Sequence, residues 1–459
     1  MQYRTQIQDW LKAHEEEMLR DLGALIAIPS VRGDAKPDAP FGEHPAAALR
    51  FMLEKAKSFG FSIDNVDNYA GCISDGETAQ LAMLAHLDVV PAGEGWLHEP
   101  FAMTEENGKL IGRGTSDDKG PAVAALYAMR AVKELGIPLQ SGVQLVLGTD
   151  EENGSSDLAY YLSHRTLPPM VFTPDGDYPV ITTEKGMARM EVTAVFDDGA
   201  SKILSLKAGA AVNAVPAVSE AVLRDVTIDE FLASRTKDYP GIAIGCHVDE
   251  EEHLHVTVDG VSAHASTPEL GKNALTCLLE VLAPVLGEGA QADAVRTLSA
   301  CFPYGETDGT ACRIAAKDAS GALTLVLSVI DLTDTHLTAK LDTRFPTCCK
   351  GENVTNALEM ALSPLQTSII MCDEPHHTDE NSPFVQTLLH VYEEVTGEPG
   401  ECLAIGGGTY VHNIEGGVAF GAIFPGEDIH MHGAEEFIRR EALLLDAEMM
   451  ALCIAALCG

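Results

Sequence analysis

The sequence predicts an α/β protein: a discontinuous domain with a mainly parallel sheet flanked by helices, plus an inserted α+β domain. Three observations predict it. Two short apolar runs of strand length, Ala79–Ala85 (AQLAMLA) and Val143–Leu147 (VQLVL), bracket a helical pattern over 120–135. That strand–helix–strand order implies a parallel unit with a right-handed crossover. Acidic and imidazole residues follow each apolar run, at the carboxyl ends of strands where open α/β sheets place their sites. Near Glu184 the pattern changes to short β-rich pieces, and it changes back after Met371.

In order along the chain, 6–26 has helical spacing, with Trp10, Leu11, Met18, Leu22 and Leu25 roughly on one side. A second helix is expected over 46–59, closed by Gly60. The helix over 120–135 has Pro121 in its first turn, Asp117 and Asp118 before it, and Gly136 as its stop. From Ala188 to Leu341, pieces such as MEVTAVF and HLHVTVDG read as strands mixed with helices. The stretch ALTLVLSVIDLTDTHLTAKLDTRFP reads as two strands joined by a polar turn. CDEPHHTDENSP reads as a linker. A helix (384–395), a strand ECLAI, a glycine turn at 406–408 and a last helix over 435–457 complete the chain. The expected division is 1–183 with 376–459 as one discontinuous domain and 184–375 as the insertion, which lies within the usual domain range.

A chain of 459 residues is too long for one core. Its 30 Lys and Arg against 69 Asp and Glu leave a formal charge of −39, which repels nucleic-acid phosphates and anionic membranes. No run approaches the roughly 18 apolar residues that a membrane helix needs. The opening MQYRTQIQDWLKAHEEEML has no long apolar core, so no signal peptide is expected. Eleven cysteines, an odd number without a CxxC pair, make a poor disulfide framework, and a reducing cytoplasm is the expected location.

Four clusters carry the candidate chemistry: His86-Leu87-Asp88, Gly112 to Gly120 around Asp117-Asp118, Glu151-Glu152, and Thr173-Pro174-Asp175. Residues two apart on a strand share a side, so Asp88 can orient His86 through its second ring nitrogen. Asp117 sits in a glycine-rich turn, where a carboxylate can offer one oxygen to each of two cations; alone, the Asp pair reads equally as a helix cap. In an extended turn Glu151 and Glu152 diverge, so one can bind metal while the other takes a proton from water. An isolated pair would be only a solvated acidic turn. The set suits two divalent cations and a general base.

Together, LAHLDVVPAGEGW (84–96), GRGTSDDKGP (112–121), GTDEENG (148–154) and FPGEDIHMHGAEE (424–436) resemble the di-zinc family of aminoacylases, glutamate carboxypeptidases and cytosolic dipeptidases. TPDGDYP (173–179), GVSAHASTPELGKNA (260–274), DTRFP (342–346) and IGGGTYVH (405–412) are most similar to its bacterial peptidase V-type branch. The resemblance implies a catalytic domain and a lid domain, and a role for each matching residue. His86 and Asp175 would bind one cation, Glu152 and His432 the other, and Asp117, with a cis link to Asp118, would bridge them. Glu151 would be the base and Asp88 would support His86. Glu435 replaces the usual Asn of the family's HxxNE motif, and His430 is the fallback for His432. His264 would donate to the developing oxyanion. Asn213, Arg344, Gly407 and Gly408 would hold the substrate, the planar fork of Arg344 suiting a carboxylate. Thr409 and Tyr410 would line the pocket. For His264, Arg344 and the glycines taken singly, a surface histidine, a strand ion pair and a plain turn are the simpler readings.

The implied cofactors are two divalent ions, zinc first, with manganese or cobalt as alternatives. The implied function is hydrolysis of dipeptides with a free N-terminus. The alternatives are an N-acyl-amino-acid amidohydrolase or desuccinylase, and a catalytically inactive metal-binding relative. The expected partner is a small peptide substrate, without nucleic acid or membrane. The size of the insertion makes a functional monomer plausible, with a dimer as the alternative.

Overall fold

A computed structural model of the chain describes residues 2–197, 199–235 and 237–459. Two compact units emerge: Met1–Thr183 with His377–Leu403 and Gly408–Gly459, and Glu184–His376 with Ala404–Gly407. Among the described residues no helix is long and apolar enough to cross a membrane.

In the first unit, the sheet runs Ser62–Val66, Ala70–Asp75, Gly142–Gly148, Ala79–His86, Met170–Thr173, Val418–Ala419 and Val180–Glu184. Its centre is parallel: Ala79–His86 pairs in parallel with Gly142–Gly148 and with Met170–Thr173, which pairs in parallel with Val418–Ala419. Antiparallel strands lie on either side. The central strands are buried almost throughout, which is why they read as continuous apolar runs rather than alternating ones. Parallel pairing also brings the residues after His86, Gly148 and Thr173 to one edge of the sheet.

The helix Lys119–Glu134 is alanine-rich and buried on nearly every side, between Arg4–Ile26 and Arg440–Leu457. It stops where Gly136 takes a left-handed φ of 62°. The Gly136 N–H then donates to Lys133 O at 3.1 Å and the Ile137 N–H to Val132 O at 3.1 Å, closing the last turn.

The second unit is built on an eight-stranded sheet ordered Ala243–Val248, Leu254–Asp259, Val218–Leu223, Ile203–Ala208, Thr324–Thr333, His336–Phe345, Gly186–Val195, Gln366–Asp373. Its pairings are antiparallel. Strand residues such as Val192, Leu206, Val256 and Leu341 form one apolar core with helices Ala274–Leu282, Ala290–Cys301 and Gly351–Leu362. The predicted pair of strands joined by a polar turn is the hairpin of Thr324–Thr333 with His336–Phe345.

Three local expectations change. The last helix begins at Arg440, because Phe437–Arg439 instead forms a strand against Lys109–Ile111 with Phe437 and Ile438 buried. The expected linker starts late: Cys372 and Asp373 still belong to the strand Gln366–Asp373, paired with Ala188 and Met187. Glu151–Asn153 is a single 3₁₀ turn rather than an extended one.

Gly148, the last residue of its strand, faces Tyr410 Oη and Asp157 Oδ2, which an added Cβ would overlap. A Gly148→Ala variant should therefore lose about 1–3 kcal/mol of stability through overpacking, read as a lowered midpoint in equilibrium urea unfolding.

Candidate metal centre

At the carboxyl edge of the parallel strands, His86 is fully buried. Its ring is fixed at both nitrogens: Nδ1 lies 3.0 Å from the Asp88 carbonyl oxygen and Nε2 lies 2.9 Å from Asp117 Oδ1. The Asp88 carboxylate is only a secondary neighbour of the ring, at 3.5 Å. Its two oxygens instead accept the backbone N–H groups of Glu151 (3.1 Å) and Glu152 (3.2 Å). The expected role for Asp88 thus moves: its main chain orients the imidazole, and its carboxylate fixes the glutamate turn.

Asp117 divides its two oxygens between two imidazoles. Oδ2 lies 2.9 Å from His432 Nε2, and that nitrogen lies 3.2 Å from Glu152 Oε1. Asp175 follows the strand Met170–Thr173 and brings Oδ2 to 3.8 Å from His86 Nε2. His432, not His430, meets the carboxylates; the His430 ring packs edge-on to Phe437 at 5.8 Å. The cap reading for the Asp pair does not hold, because the helix Lys119–Glu134 has no side-chain cap bond. Asp118, joined to Asp117 by a cis bond, accepts the His86 N–H at 3.0 Å.

These residues fit divalent cations. Donor atoms of His86, Asp117 and Glu152 lie within 4.8 Å of one another, as do those of His86, Glu151 and Asp175. Five carboxylates (Asp88, Asp117, Glu151, Glu152, Asp175) crowd two imidazoles. Burial, reinforced by neighbouring carboxylate charge, pushes Glu151 and Glu152 up and lifts Asp175 to about 7. Burial also opposes ionisation of Asp117, but hydrogen bonds from His432 and His86 hold it well below the usual carboxylate range. Burial disfavours the protonated imidazoles too, yet their carboxylate partners raise both His86 and His432. Mixed nitrogen and oxygen donors suit zinc, manganese or cobalt.

Other residues hold this centre from behind, and among them Glu436 and Asp157 stand outside the candidate set. Glu436 is fully buried. Its carboxylate accepts the N–H groups of Gly114 (3.0 Å), Ser116 (3.1 Å) and Asp117 (3.2 Å), the Ser116 hydroxyl (3.0 Å) and Arg113 Nη1 (2.5 Å). It therefore shapes the whole turn that presents Asp117. Glu435, in place of the family's Asn, accepts the N–H groups of Leu97 (2.8 Å) and His98 (3.1 Å), with the His98 ring at 2.7 Å. Tyr410 does not line an open pocket: it is buried, and its hydroxyl donates to Asp157 at 2.5 Å. Asp157 in turn accepts the N–H groups of Thr149 and Asp150, just before the glutamates. The acidic pair Glu435-Glu436 ahead of the apolar Phe437-Ile438 was the one available hint, because a carboxylate there had to be buried or turned away.

In the second unit, Asn213, His264 and Arg344 come together. Ala265 N–H donates to Asn213 O at 2.9 Å, and His264 Nδ1 lies 2.7 Å from Ser266 Oγ. Gly406 sits against Ser266 so closely that an added Cβ would lie 2.6 Å from the serine Cβ. Arg344 is buried and donates to Gly406 O at 2.9 Å. Its fork grips Asp342 through Nε (2.6 Å) and Nη2 (3.1 Å). The simpler strand ion-pair reading of Arg344 therefore holds as well, and the donors left over are on Nη1 and Nη2. Gly407 leaves open space where a side chain would stand, and Gly408 belongs to the first unit.

Comparison with known proteins agrees with this architecture. Residues 82–456 match the model of peptidase family M20/M25/M40. The chain is 34% identical over 461 residues to the Beta-Ala-Xaa dipeptidase of Lactobacillus delbrueckii subsp. lactis, covering 96% of each. Its fold is similar to that of human carnosine dipeptidase 1 (TM-score 0.60, 14% identity, 100% of this chain and 99% of that one). It is also similar to that of the di-peptidase Dug1p of Saccharomyces cerevisiae (TM-score 0.61, 14% identity, 99% and 98%). The chain belongs to peptidase family M20/M25/M40 and is a metallopeptidase.

Replacing Glu436 by Gln removes the partner of buried Arg113 and puts an N–H₂ group among donors. We expect a loss of about 3–5 kcal/mol in equilibrium denaturation, with weakened metal retention on dialysis.

Proposed function

We propose that this member of the M20 family hydrolyses dipeptides that carry a free N-terminus, with Glu151 as general base. The observation that carries the reading is the division of Asp117 between His86 and His432, each at 2.9 Å. A carboxylate split in that way is what a bridging ligand of two cations requires. In this reading His86, Asp117 and Asp175 hold one divalent ion, and Asp117, Glu152 and His432 hold the second, with zinc the first choice. Bound there, the two ions would polarise the scissile carbonyl and acidify the attacking water.

The remaining chemistry belongs to the chain. Glu151 is held by its own N–H on Asp88, and burial favours its protonated form. Burial thus raises the proton affinity of its carboxylate, which in the ionised form can take the proton of water and deliver it to the leaving amine. The surplus of carboxylates attracts the substrate's ammonium group. We assign His264 to the developing oxyanion, and Asn213, the spare donors of Arg344, Gly407 and Gly408 to the substrate's other end. The Asp342 carboxylate keeps the Arg344 plane in one orientation, which favours selection of a single carboxylate position. The dipeptidase relative, aligned over nearly the whole chain, supports this substrate class over N-acyl amino acids. Cytoplasmic location and a functional monomer are part of the same proposal.

Glu151→Gln should lower kcat by about 10²–10⁴-fold while elemental analysis finds metal content near that of the parent. Retained turnover would remove Glu151 as the base. Acetylating the amine of a good dipeptide should reduce kcat/KM roughly 10- to 100-fold, the size of one lost charged contact. Equal rates would favour the amidohydrolase reading. Dialysis against a chelator should abolish turnover and zinc should restore it.

A further inference from the structure

The second unit carries a set of metal-type donors that the peptidase chemistry does not use. They lie on the hairpin formed by Ala243–Val248 and Leu254–Asp259, whose first strand is the edge of the eight-stranded sheet. The sequence there reads His247-Val248-Asp249-Glu250-Glu251-Glu252-His253-Leu254-His255. Side chains alternate faces along a strand. Leu254, Val256 and Val258 are buried in the core. His253 and His255 flank Leu254 and therefore share the outer face, and His247 stands directly opposite His255 in the register.

The geometry on that face is ordered. The His247 and His255 rings stack with centroids 4.8 Å apart and planes 19° from parallel. Asp249 gives each oxygen a separate task. Oδ1 closes the turn by accepting the N–H groups of Glu251 (2.9 Å) and His253 (2.8 Å). Oδ2 is thereby pointed at two imidazoles, 2.9 Å from His255 Nε2 and 3.6 Å from His253 Nδ1. Those spacings resemble the ~3.3 Å between neighbouring ligands of a tetrahedral ion with bonds of about 2.0 Å. Convergence is incomplete: among the described residues, the only groups with three donors all within 4.8 Å are those around His86. A cation would complete the set by rotating imidazoles that are half-buried or exposed. Glu250, Glu251 and Glu252 are exposed beside it and add negative charge that favours a cation.

We propose that His247, Asp249, His253 and His255 form an additional binding site for a divalent transition-metal ion, separate from the peptidase centre and formed by the second unit alone. Three imidazoles and one carboxylate select zinc, nickel or copper over magnesium or calcium, which prefer oxygen donors. The alternative is a hairpin ion pair between Asp249 and His255 that binds no metal.

The test counts zinc. The full chain, with its catalytic ions loaded, is equilibrated with Zn²⁺ and analysed for metal per chain. The doubly substituted His247→Ala/His255→Ala chain should hold one equivalent fewer than the parent. Zn²⁺ should raise the thermal midpoint of the loaded parent and leave that of the double variant unmoved. Dipeptide hydrolysis should be the same in both. His253→Gln, in the exposed turn, keeps the strand pairs intact and should weaken the same equivalent if the double variant folds poorly. Equal zinc content in the parent and the variants would overturn the proposal, as would an excess of Mg²⁺ displacing the extra zinc.

Discussion

The electrostatic constraint at the carboxyl edge of the parallel strands governs the rest of the first unit. Five carboxylates are gathered around two imidazoles in a site that is largely buried, and so many like charges cannot all ionise there without cations. Burial and neighbouring charge accordingly push Glu151, Glu152 and Asp175 toward their protonated forms. Divalent ions would remove the cost of ionising them, because positive charge there offsets the crowded carboxylates.

A charged cluster keeps its shape only if something other than the metal holds it. Here the backbone does so, through buried acids one step behind the residues that face the imidazoles. Asp88 fastens the Glu151–Glu152 turn by two N–H groups, and Glu436 fastens the Asp117 turn by three more, with Arg113 balancing its charge. Asp157, held by Tyr410, secures Thr149 and Asp150. Asp88, Glu436 and Tyr410 reach these turns from distant parts of the chain. The centre is therefore coupled to the packing of the last strand and helix, and not only to the strands that bear its donors.

The second unit follows a different rule. Its antiparallel sheet buries one face, and that face fixes the register. The outer face is then free to collect polar side chains in rows. One result is the histidine row of the edge hairpin.

The sequence by itself determined the fold class, because strand-length apolar runs broken by one alanine-rich helix admit few topologies. It also singled out His86, Asp117, Glu151, Glu152, Asp175 and His432, through motifs that resemble those of a known family. What only the tertiary structure decided was what each side chain touches. The Asp88 carboxylate turns to the glutamate backbone, Arg344 grips Asp342, Tyr410 is buried on Asp157, and the last helix yields its first residues to a strand. The reason is physical: spacing along a chain fixes local direction, whereas a buried polar group takes whichever partner the packing of remote segments brings within hydrogen-bond distance.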